Sequence, residues 1–419
     1  MGMTISEKIL AKAAGLKSVK ANDIIWAKAD KAMLDDILGP KVVIDEYMRS
    51  HNSKIWDVDK VVVISDHYTP AANPTQAAVV KLARDWCTDF GVERYYELAG
   101  PCHQVMVEEG YALPGTFVLG TDSHTVTYGA LGCFSTGVGS TEMLGILLTG
   151  ETWIKVPETI LYKWSGKLKE YCMAKDIILT SIGATGHDGA TYMAMEFQGS
   201  AIKELSVDER LCITNMAVEA GAKNGIIEPD EKVKEYMDKI GVKDGYEFFA
   251  SDKDAVYKQT FEFNADELEP VVSCPHEVDN VFKVRDVDKI HVDQVYIGSC
   301  TGGRISDLHA AAEVLKGKKV AKGTRLLVSP ASKRIYNECL KDGTFDILAD
   351  AGATILASTC GACLGVHSGA IADGESCVST TNRNFLGRMG SKKSDVYLAS
   401  PLTAAASAIT GYVTDVRDL

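Results

Sequence analysis

The chain has 419 residues, too many for one ordinary core, and its content of 46% hydrophobic and 24% charged residues is typical of globular proteins. Its formal net charge of −13 argues against general nucleic-acid binding, which needs a basic face, but leaves room for a small anionic substrate held by local arginines. The sequence has no run near the ~18 apolar residues of a membrane span, no signal-peptide core and no dense cysteine spacing of a secreted scaffold, so we expect a reducing cytoplasm as its compartment.

Short β-branched runs alternate with helical stretches along the chain, which predicts an α/β fold with mostly parallel sheets. In chain order, the predicted strands are Lys60–Ser65, Thr116–Gly120, Val292–Gly298, Thr324–Ser329 and Ala353–Ser358. The predicted helices are Pro74–Asp89, Asp208–Ala222, Ser306–Leu315 and Ser332–Asp342. Functional loops in such folds lie at the carboxyl ends of strands, so polar residues that directly follow these strands are the candidates for a site.

The stretch Pro229–Asp288 is charged and irregular, and we interpret it as a connection between an N-terminal and a C-terminal region. This interpretation places a boundary near residue 285, with an α/β/α region at 1–285 and a second α/β region at 286–419. The sequence contains no low-complexity segment and no internal repeat.

Three cysteines lie in small-residue turns after predicted strands: Cys300 in GSCTGG, and Cys360 with Cys363 in TCGACLG. Four thiolates would fill the ligand sphere of a [4Fe–4S] cluster, whereas three would leave one iron open as a Lewis acid. A lone CxxC also fits half of a zinc site or a redox pair. The cysteines without a partner pattern are interpreted as small buried hydrophobic residues, namely Cys87, Cys133, Cys172, Cys212, Cys274, Cys339 and Cys377.

Histidines beside carboxylates also follow predicted strands. The pair Asp66-His67 ends one strand, the segment Asp122–His124 ends another, and His103 lies in GPCHQV. A neighbouring carboxylate fixes the tautomer of a histidine and raises its basicity. The alternative is a polar surface turn, which explains one such pair more easily than two.

Two further motifs could handle protons or anions. Asn215 and Glu219 in ITNMAVEAG are spaced to share one face of a helix that is mostly apolar, so Glu219 is a candidate inward-facing carboxylate; a solvated helix stripe is the alternative. The loop that starts at Asn382 carries Arg383 and Arg388, whose planar forks could clamp carboxylates; a basic surface loop is the alternative.

Together these motifs resemble the aconitase superfamily, specifically the large subunits of the isopropylmalate dehydratase and homoaconitase type, nearly from end to end. The resemblance rests on SDHY, CHQ, GTDSHT, NMAVEAGA, GSCTGGR, CGACLG and TNRNFLGR, in this order. It implies three α/β/α domains, two of them interleaved in 1–285, around a [4Fe–4S] cluster. It also implies that Cys300, Cys360 and Cys363 are the cluster's protein ligands, so that one iron is not ligated by cysteine.

The resemblance further implies a reversible dehydration and a role for each polar residue. His67 with Asp66 would protonate the departing hydroxide, and His103 would support this acid network. Asp122, His124 and Glu219 would ligand or hydrogen-bond the iron-bound water and the substrate, with Ser123 as a further catalytic residue. Arg383 and Arg388 would hold the substrate's carboxylates, and Asn215 and Asn382 would also bind substrate.

One departure from the pattern of full-length aconitases matters. Those proteins carry a catalytic serine in a Ser-Arg motif on a fourth, mobile domain, and this sequence has no Ser-Arg dipeptide. The resemblance therefore implies a separate small subunit that supplies the swivel domain and the serine, in a heterodimer or heterotetramer, with no nucleic-acid or membrane partner.

The resemblance leaves the substrate open among substituted malates and the homocitrate/homoaconitate pair. 3-Isopropylmalate is the first choice, because it is the commonest assignment in the family, followed by 2,3-dimethylmalate and then homoaconitate. The segments AGPCHQ and ATGHDGATYM depart from the commonest isopropylmalate pattern, which keeps 2,3-dimethylmalate open. An iron–sulfur sensor or electron-transfer protein is the alternative from another class. Electron carriers normally use four protein ligands, and the acid–base residues would then be idle, so we expect a hydro-lyase.

Overall fold

The structure is a computed structural model that describes residues 2–419. The chain forms two compact units, each assembled from separate stretches of sequence. The first contains the described residues as far as Glu97, together with Cys102–Trp164 and Ala190–Phe263. The second contains Leu98–Pro101, Ser165–Gly189 and Asn264–Leu419. The boundary near residue 285 and the three α/β/α domains stay predictions.

Helices and strands alternate through most of the chain. The α-helices are α1 Ile5–Ala13, α2 Asp45–Ser50, α3 Pro74–Phe90, α4 Cys102–Glu108, α5 Ser140–Thr149, α6 Ala174–Thr185, α7 Ser200–Glu204, α8 Val207–Asn215, α9 Glu231–Lys239, α10 Ile305–Leu315, α11 Lys333–Lys341, α12 Thr344–Ala351 and α13 Pro401–Thr410. The strands are β1 Ile24–Lys28, β2 Lys31–Asp35, β3 Val61–Ser65, β4 Tyr95–Glu97, β5 Phe117–Gly120, β6 Phe134–Gly137, β7 Glu151–Lys155, β8 Thr159–Ser165, β9 Ala194–Gln198, β10 Asn224–Ile227, β11 Gln259–Asn264, β12 Val271–Ser273, β13 Val281–Lys283, β14 Gln294–Gly298, β15 Arg325–Ser329, β16 Ala353–Ile355, β17 Ser376–Ser379 and β18 Asp395–Ala399.

A five-stranded sheet organises the first unit. Its strand order is β4-β3-β2-β5-β6, and every pairing between neighbours is parallel. β3 reads VVVIS and is buried at every position, as expected of a parallel strand that is covered on both faces. The same unit contains a four-stranded sheet of order β10-β9-β8-β11 and an antiparallel β1–β7 pair.

The helix after β3 shows how local sequence sets the ends of an element. The Asn73 side chain accepts a hydrogen bond from the backbone N–H of Gln76 at 3.0 Å, and Pro74 occupies the first turn, where its missing N–H is not needed. Gly91, at a φ of 72°, adopts the left-handed conformation that ends the helix. Between these ends, Trp86 is fully buried in the apolar core of the unit.

A seven-stranded sheet organises the second unit. Its order is β13-β12-β18-β17-β14-β15-β16, with parallel pairings from β18 across to β16 and antiparallel pairings at β12. The buried side chains of β14 and β15 pack with apolar residues of α10, α12 and α13 in one core. β14 lies inside the parallel part of the sheet, between β15 and β17.

The structure confirms the α/β architecture with parallel sheets and corrects two details. Helix α8 ends at Asn215, and residues Met216–Ala220 continue as a 3-10 helix, so the predicted α-helix to Ala222 is wrong. The interpretation of Pro229–Asp288 as an irregular connection is also wrong, because this stretch contains α9, β11, β12 and β13. Part of its charge lies on α9, whose charged side chains are mostly exposed.

In the part of the chain that the structure describes, no helix combines the length and apolar character needed to cross a membrane.

Candidate functional site

Three neighbouring parallel strands of the first unit end in acidic or histidine-bearing loops. β3, β2 and β5 lie side by side, and their carboxyl ends lead to the pair Asp66-His67, the pair Asp35-Asp36 and the segment Asp122–His124. Because parallel strands end at the same edge of a sheet, these loops come together there. The two histidine pairs predicted from sequence therefore belong to one cluster.

His67 is held between carboxylates within this cluster. Its Nδ1 lies 2.8 Å from Asp66 Oδ1, and its Nε2 lies 3.5 Å from Asp122 Oδ2. The other oxygen of Asp66 accepts a hydrogen bond from the backbone N–H of Cys102 at 2.6 Å, which fixes the carboxylate. Asp66 therefore favours the tautomer with a proton on Nδ1, and the Nε2 atom is the one that can exchange a proton.

Asp122 is the centre of the cluster. Its Oδ1 lies 2.8 Å from His103 Nε2 and accepts the backbone N–H of His124 at 2.7 Å. Burial opposes ionisation of this carboxyl, but the charge on His103 and the hydrogen bonds from His103, His124 and His67 outweigh it, so the pKa of Asp122 lies well below its usual range. Asp122 is thus an ionised acceptor that joins three histidines.

Glu219 completes this network from the 3-10 helix that follows α8. Its Oε1 lies 2.7 Å from His124 Nε2, and only 4% of the residue is exposed, so the inward-facing position predicted for it is confirmed. The Ser123 hydroxyl lies 3.4 Å from His124 Nδ1. Asn215 approaches the same loop indirectly, because its Nδ2 donates to the Thr127 hydroxyl at 2.7 Å.

Asp35 and Asp36 are buried members of the cluster that sequence reasoning missed. Asp36 accepts the backbone N–H groups of His67 at 3.1 Å and Tyr68 at 2.8 Å. Burial opposes ionisation of Asp36, but its interactions with His67 keep its pKa lowered, whereas burial raises the pKa of Asp35 to about 6. Two adjacent carboxylates after a short apolar run, KAMLDD, were the available signal.

The second unit brings the three candidate cluster cysteines to the carboxyl ends of its parallel strands. Cys300 follows β14, Cys360 and Cys363 follow β16, and both strands flank β15. Ser299 adopts a φ of 72° directly before Cys300. The turn after Cys300 needs small residues, since a Cβ added at Gly302 would lie 2.3 Å from the side chain of Thr380.

Asn382 joins two of these cysteines. Its Nδ2 lies 3.8 Å from Cys300 Sγ, and its Oδ1 lies 3.4 Å from Cys363 Sγ. Burial raises the pKa of Tyr296, and the charges of Cys363, Cys360 and Cys300 raise it further. Three cysteines on two turns, two of them in contact with one buried amide, fit the ligand set that an iron–sulfur cluster requires.

The arginine loop adjoins these cysteines. Arg388 Nη2 lies 3.9 Å from Cys363 Sγ, while the Arg383 guanidinium lies 5.8 Å from the centre of the Phe385 ring. The structure therefore brings Arg388 and Asn382 to the cysteines, and Arg383 lies half-buried in the same loop.

Six of the seven cysteines interpreted as buried packing residues match that prediction. All of them are buried except Cys274, which is half-buried, and none of the described cysteines forms a disulfide. Burial raises the pKa of Cys87 and Cys339 to about 12, which keeps these thiols protonated and poor metal ligands at neutral pH.

The family model described as "Aconitase family (aconitate hydratase)" matches residues 7–289 and 283–411. The chain is 47% identical to the 3-isopropylmalate dehydratase large subunit 1 of Methanopyrus kandleri, over 100% of this chain and 99% of that protein. It is 48% identical to the 3-isopropylmalate dehydratase large subunit of Syntrophus aciditrophicus, over the full length of both. The crystal structure of Thermococcus kodakaraensis aconitase X matches with a TM-score of 0.51 and 12% identity, covering 87% of this chain and 85% of that one, so it supports the fold alone.

Proposed function

The chain belongs to the aconitase family, and on that premise we propose that it is the large, iron–sulfur subunit of a two-subunit hydro-lyase that dehydrates and rehydrates a substituted malate. The observation that carries this proposal is the 46–48% identity, over nearly the whole length, to relatives named 3-isopropylmalate dehydratase large subunits. 3-Isopropylmalate is therefore the proposed substrate. 2,3-Dimethylmalate and homoaconitate remain the alternatives.

The proposal assigns Cys300, Cys360 and Cys363 to a [4Fe–4S] cluster with one iron that no cysteine ligates. When bound, such a cluster supplies Lewis acidity for a leaving hydroxyl. The protein would hold the cluster through the two cysteine-bearing turns. The side-chain amide of Asn382 lies within 4 Å of the sulfurs of Cys300 and Cys363 and would fix their relative positions.

His67 is proposed as the acid that protonates the departing hydroxide. Asp66 holds the Nδ1 proton, so the Nε2 proton is the one given up. Asp122 stays ionised and holds His103 and His67 in place through its two carboxylate oxygens. His67 is therefore already oriented to donate its proton, and no side chain has to move first. The step leaves His67 neutral, and the same atom takes the proton back when water is added.

The remaining polar residues are proposed to bind and orient the substrate. His124 and Glu219 form a hydrogen-bonded pair with Ser123 beside it, which suits contacts to the substrate's hydroxyl. Arg388 and Arg383 would bind its carboxylates through their planar forks, with Asn382 and Asn215 as supporting donors.

A separate small subunit is proposed to supply the base that removes the carbon-bound proton. The relatives are named large subunits, which implies a second chain in those enzymes. The cytoplasm is the proposed compartment, since free thiols suit a reducing environment. An iron–sulfur sensor or electron carrier is less well supported, because neither function needs the acid–base network of His67, Asp122 and Glu219.

The test is reconstitution. The cluster-loaded chain alone should not turn over 3-isopropylmalate, and addition of the cognate small subunit should give hydro-lyase activity measured by absorbance of the unsaturated product. The small subunit alone is the control. Robust turnover by the large chain alone would contradict the two-subunit proposal, and a reconstituted pair that is inactive on all three candidate substrates would contradict the hydro-lyase assignment.

A further inference from the structure

The turn at the tip of the arginine loop exposes two neighbouring apolar side chains. Phe385 is 43% exposed and Leu386 is 55% exposed. Single exposed apolar residues are ordinary, whereas adjacent large ones form a patch that can serve as an interaction anchor. The turn is closed, because the N–H of Arg388 donates to the carbonyl of Phe385 at 2.9 Å and Gly387 adopts a φ of 76°.

The backbone beneath this patch is fixed. Asn384 is fully buried, and its Nδ2 lies 3.1 Å from the Ser273 hydroxyl, 2.8 Å from the Cys274 carbonyl and 3.3 Å from the Glu277 carbonyl. Asn382, two residues earlier, is also buried. A surface held in this way loses little conformational entropy when a partner covers it.

The same loop has two kinds of surface. Arg388 directs its guanidinium to Cys363, with 3.9 Å between Nη2 and Sγ, whereas Phe385 and Leu386 face solvent. The apolar patch is therefore continuous with residues that the proposed function assigns to the substrate. A chain that must bring a catalytic group to that substrate has to reach this loop.

From this placement we infer that Phe385 and Leu386 form a docking surface for the small subunit, an inference that rests on the proposed function. The partner should offer an apolar surface that covers both side chains and thereby aligns its catalytic group with Arg388. The competing occupant is the branched alkyl group of the substrate. The two occupants differ in what they affect, since one sets the affinity between subunits and the other sets the KM for the substrate.

The experiment compares two matched double variants of the cluster-loaded chain. Phe385→Ser/Leu386→Ser removes the patch, and Phe282→Ser/Leu340→Ser removes side chains of the same types that are 47% and 61% exposed elsewhere in the same unit. Calorimetric titration with the cognate small subunit should show a Kd raised roughly ten- to a hundredfold for the first variant, the range for loss of interface anchors. The control should stay within about twofold of the wild type, as expected of surface substitutions away from an interface.

A single variant and two further measurements separate loss of docking from loss of the cluster or of catalysis. Leu386→Ser alone leaves the contact between Arg383 and Phe385 in place and should still weaken the complex. The visible iron–sulfur absorbance, and kcat at saturating small subunit, should match the wild type. A Kd equal to that of the control overturns the inference, and a raised KM with an unchanged Kd assigns the patch to the substrate's alkyl group instead. A wild-type pair that binds tightly but turns over none of the candidate substrates would refute the proposed function and leave the docking surface standing.

Discussion

Asn382 links the two cysteine-bearing turns, because its buried side-chain amide lies within 4 Å of the sulfurs of Cys300 and Cys363. The cluster proposal predicts that Ser in place of Cys300, Cys360 or Cys363 abolishes the broad visible absorbance of the reconstituted protein. Cys87→Ser and Cys339→Ser are the matched controls, since burial keeps these thiols protonated. If a fourth cysteine proved equally necessary for this absorbance, the proposal that one iron is not ligated by cysteine would be wrong.

Arg388→Lys tests the carboxylate clamp, because lysine keeps the charge and loses the planar fork. Loss of a hydrogen bond to a charged group should cost ~1.5–3 kcal/mol in transition-state binding, seen as a fall in kcat/KM of the reconstituted pair. The iron–sulfur absorbance should not change. Arg325→Lys is the control, since Arg325 forks onto Glu375 with two contacts of 2.8 Å. Wild-type kinetics for Arg388→Lys would leave Arg388 without a role in binding substrate.

The sequence predicted the polar residues that follow recognisable strands and missed those that follow a weak one. His67 and His124 follow strands rich in buried aliphatic residues, so their position at a sheet edge could be foreseen. β2 reads KAMLD, which has no β-branched residue, and so Asp35 and Asp36 gave no strand signal. Their contacts with the His67 loop depend on the pairing of β2 with β3, which spacing along the chain does not specify.

Among the elements, α6 carries a buried carboxylate that should make stability depend on pH. Asp176 accepts the backbone N–H of Met173 at 2.8 Å and that of Val271 at 3.0 Å, so it caps the helix and ties it to β12. Burial raises the pKa of Asp176 to about 7. A raised folded-state pKa means that its contribution to stability is present below the unfolded value near 4 and is lost as pH rises through about 7.

Asp176→Asn removes this titration, so the stability of the variant relative to wild type should rise between pH 4 and 7, by at most about 1.4 kcal/mol per pH unit. Denaturant unfolding at several pH values measures it. Asp230→Asn is the control: burial opposes ionisation of Asp230, but Arg210 lowers its pKa, so its contribution is lost only as pH falls below the usual carboxyl range. Parallel pH profiles for wild type and Asp176→Asn would show that Asp176 does not titrate in this window.

Elements with a strong local signal were predicted closely, and those that depend on tertiary partners were not. β3, β5, β14 and β15 were predicted to within about two residues, the usual uncertainty of element ends. β11 reads QTFEFN and is largely exposed, so neither its polarity nor its length separates it from a loop until it pairs at the edge of its sheet. The switch from α8 to a 3-10 helix at Met216 likewise has no breaker residue in the sequence.

At the scale of the whole molecule, charge bears on which substrate the assembled enzyme prefers. The chain is acidic overall, with a net charge of −13, so each substrate carboxylate needs a local cation. The loop at 382–388 offers Arg383 and Arg388, which matches a substrate with two carboxylates. Homoaconitate carries a third carboxylate and would need another cation from the small subunit.

We therefore expect the reconstituted pair to prefer 3-isopropylmalate and 2,3-dimethylmalate over homoaconitate in steady-state kcat/KM. The two malates should differ only modestly, because each methylene buried in an apolar pocket contributes about 0.8 kcal/mol, or roughly fourfold. A clear preference for homoaconitate would reverse this order and would mean that the partner supplies the third cation. Equal rates on the two malates would instead show that the alkyl group contributes little to recognition by this chain.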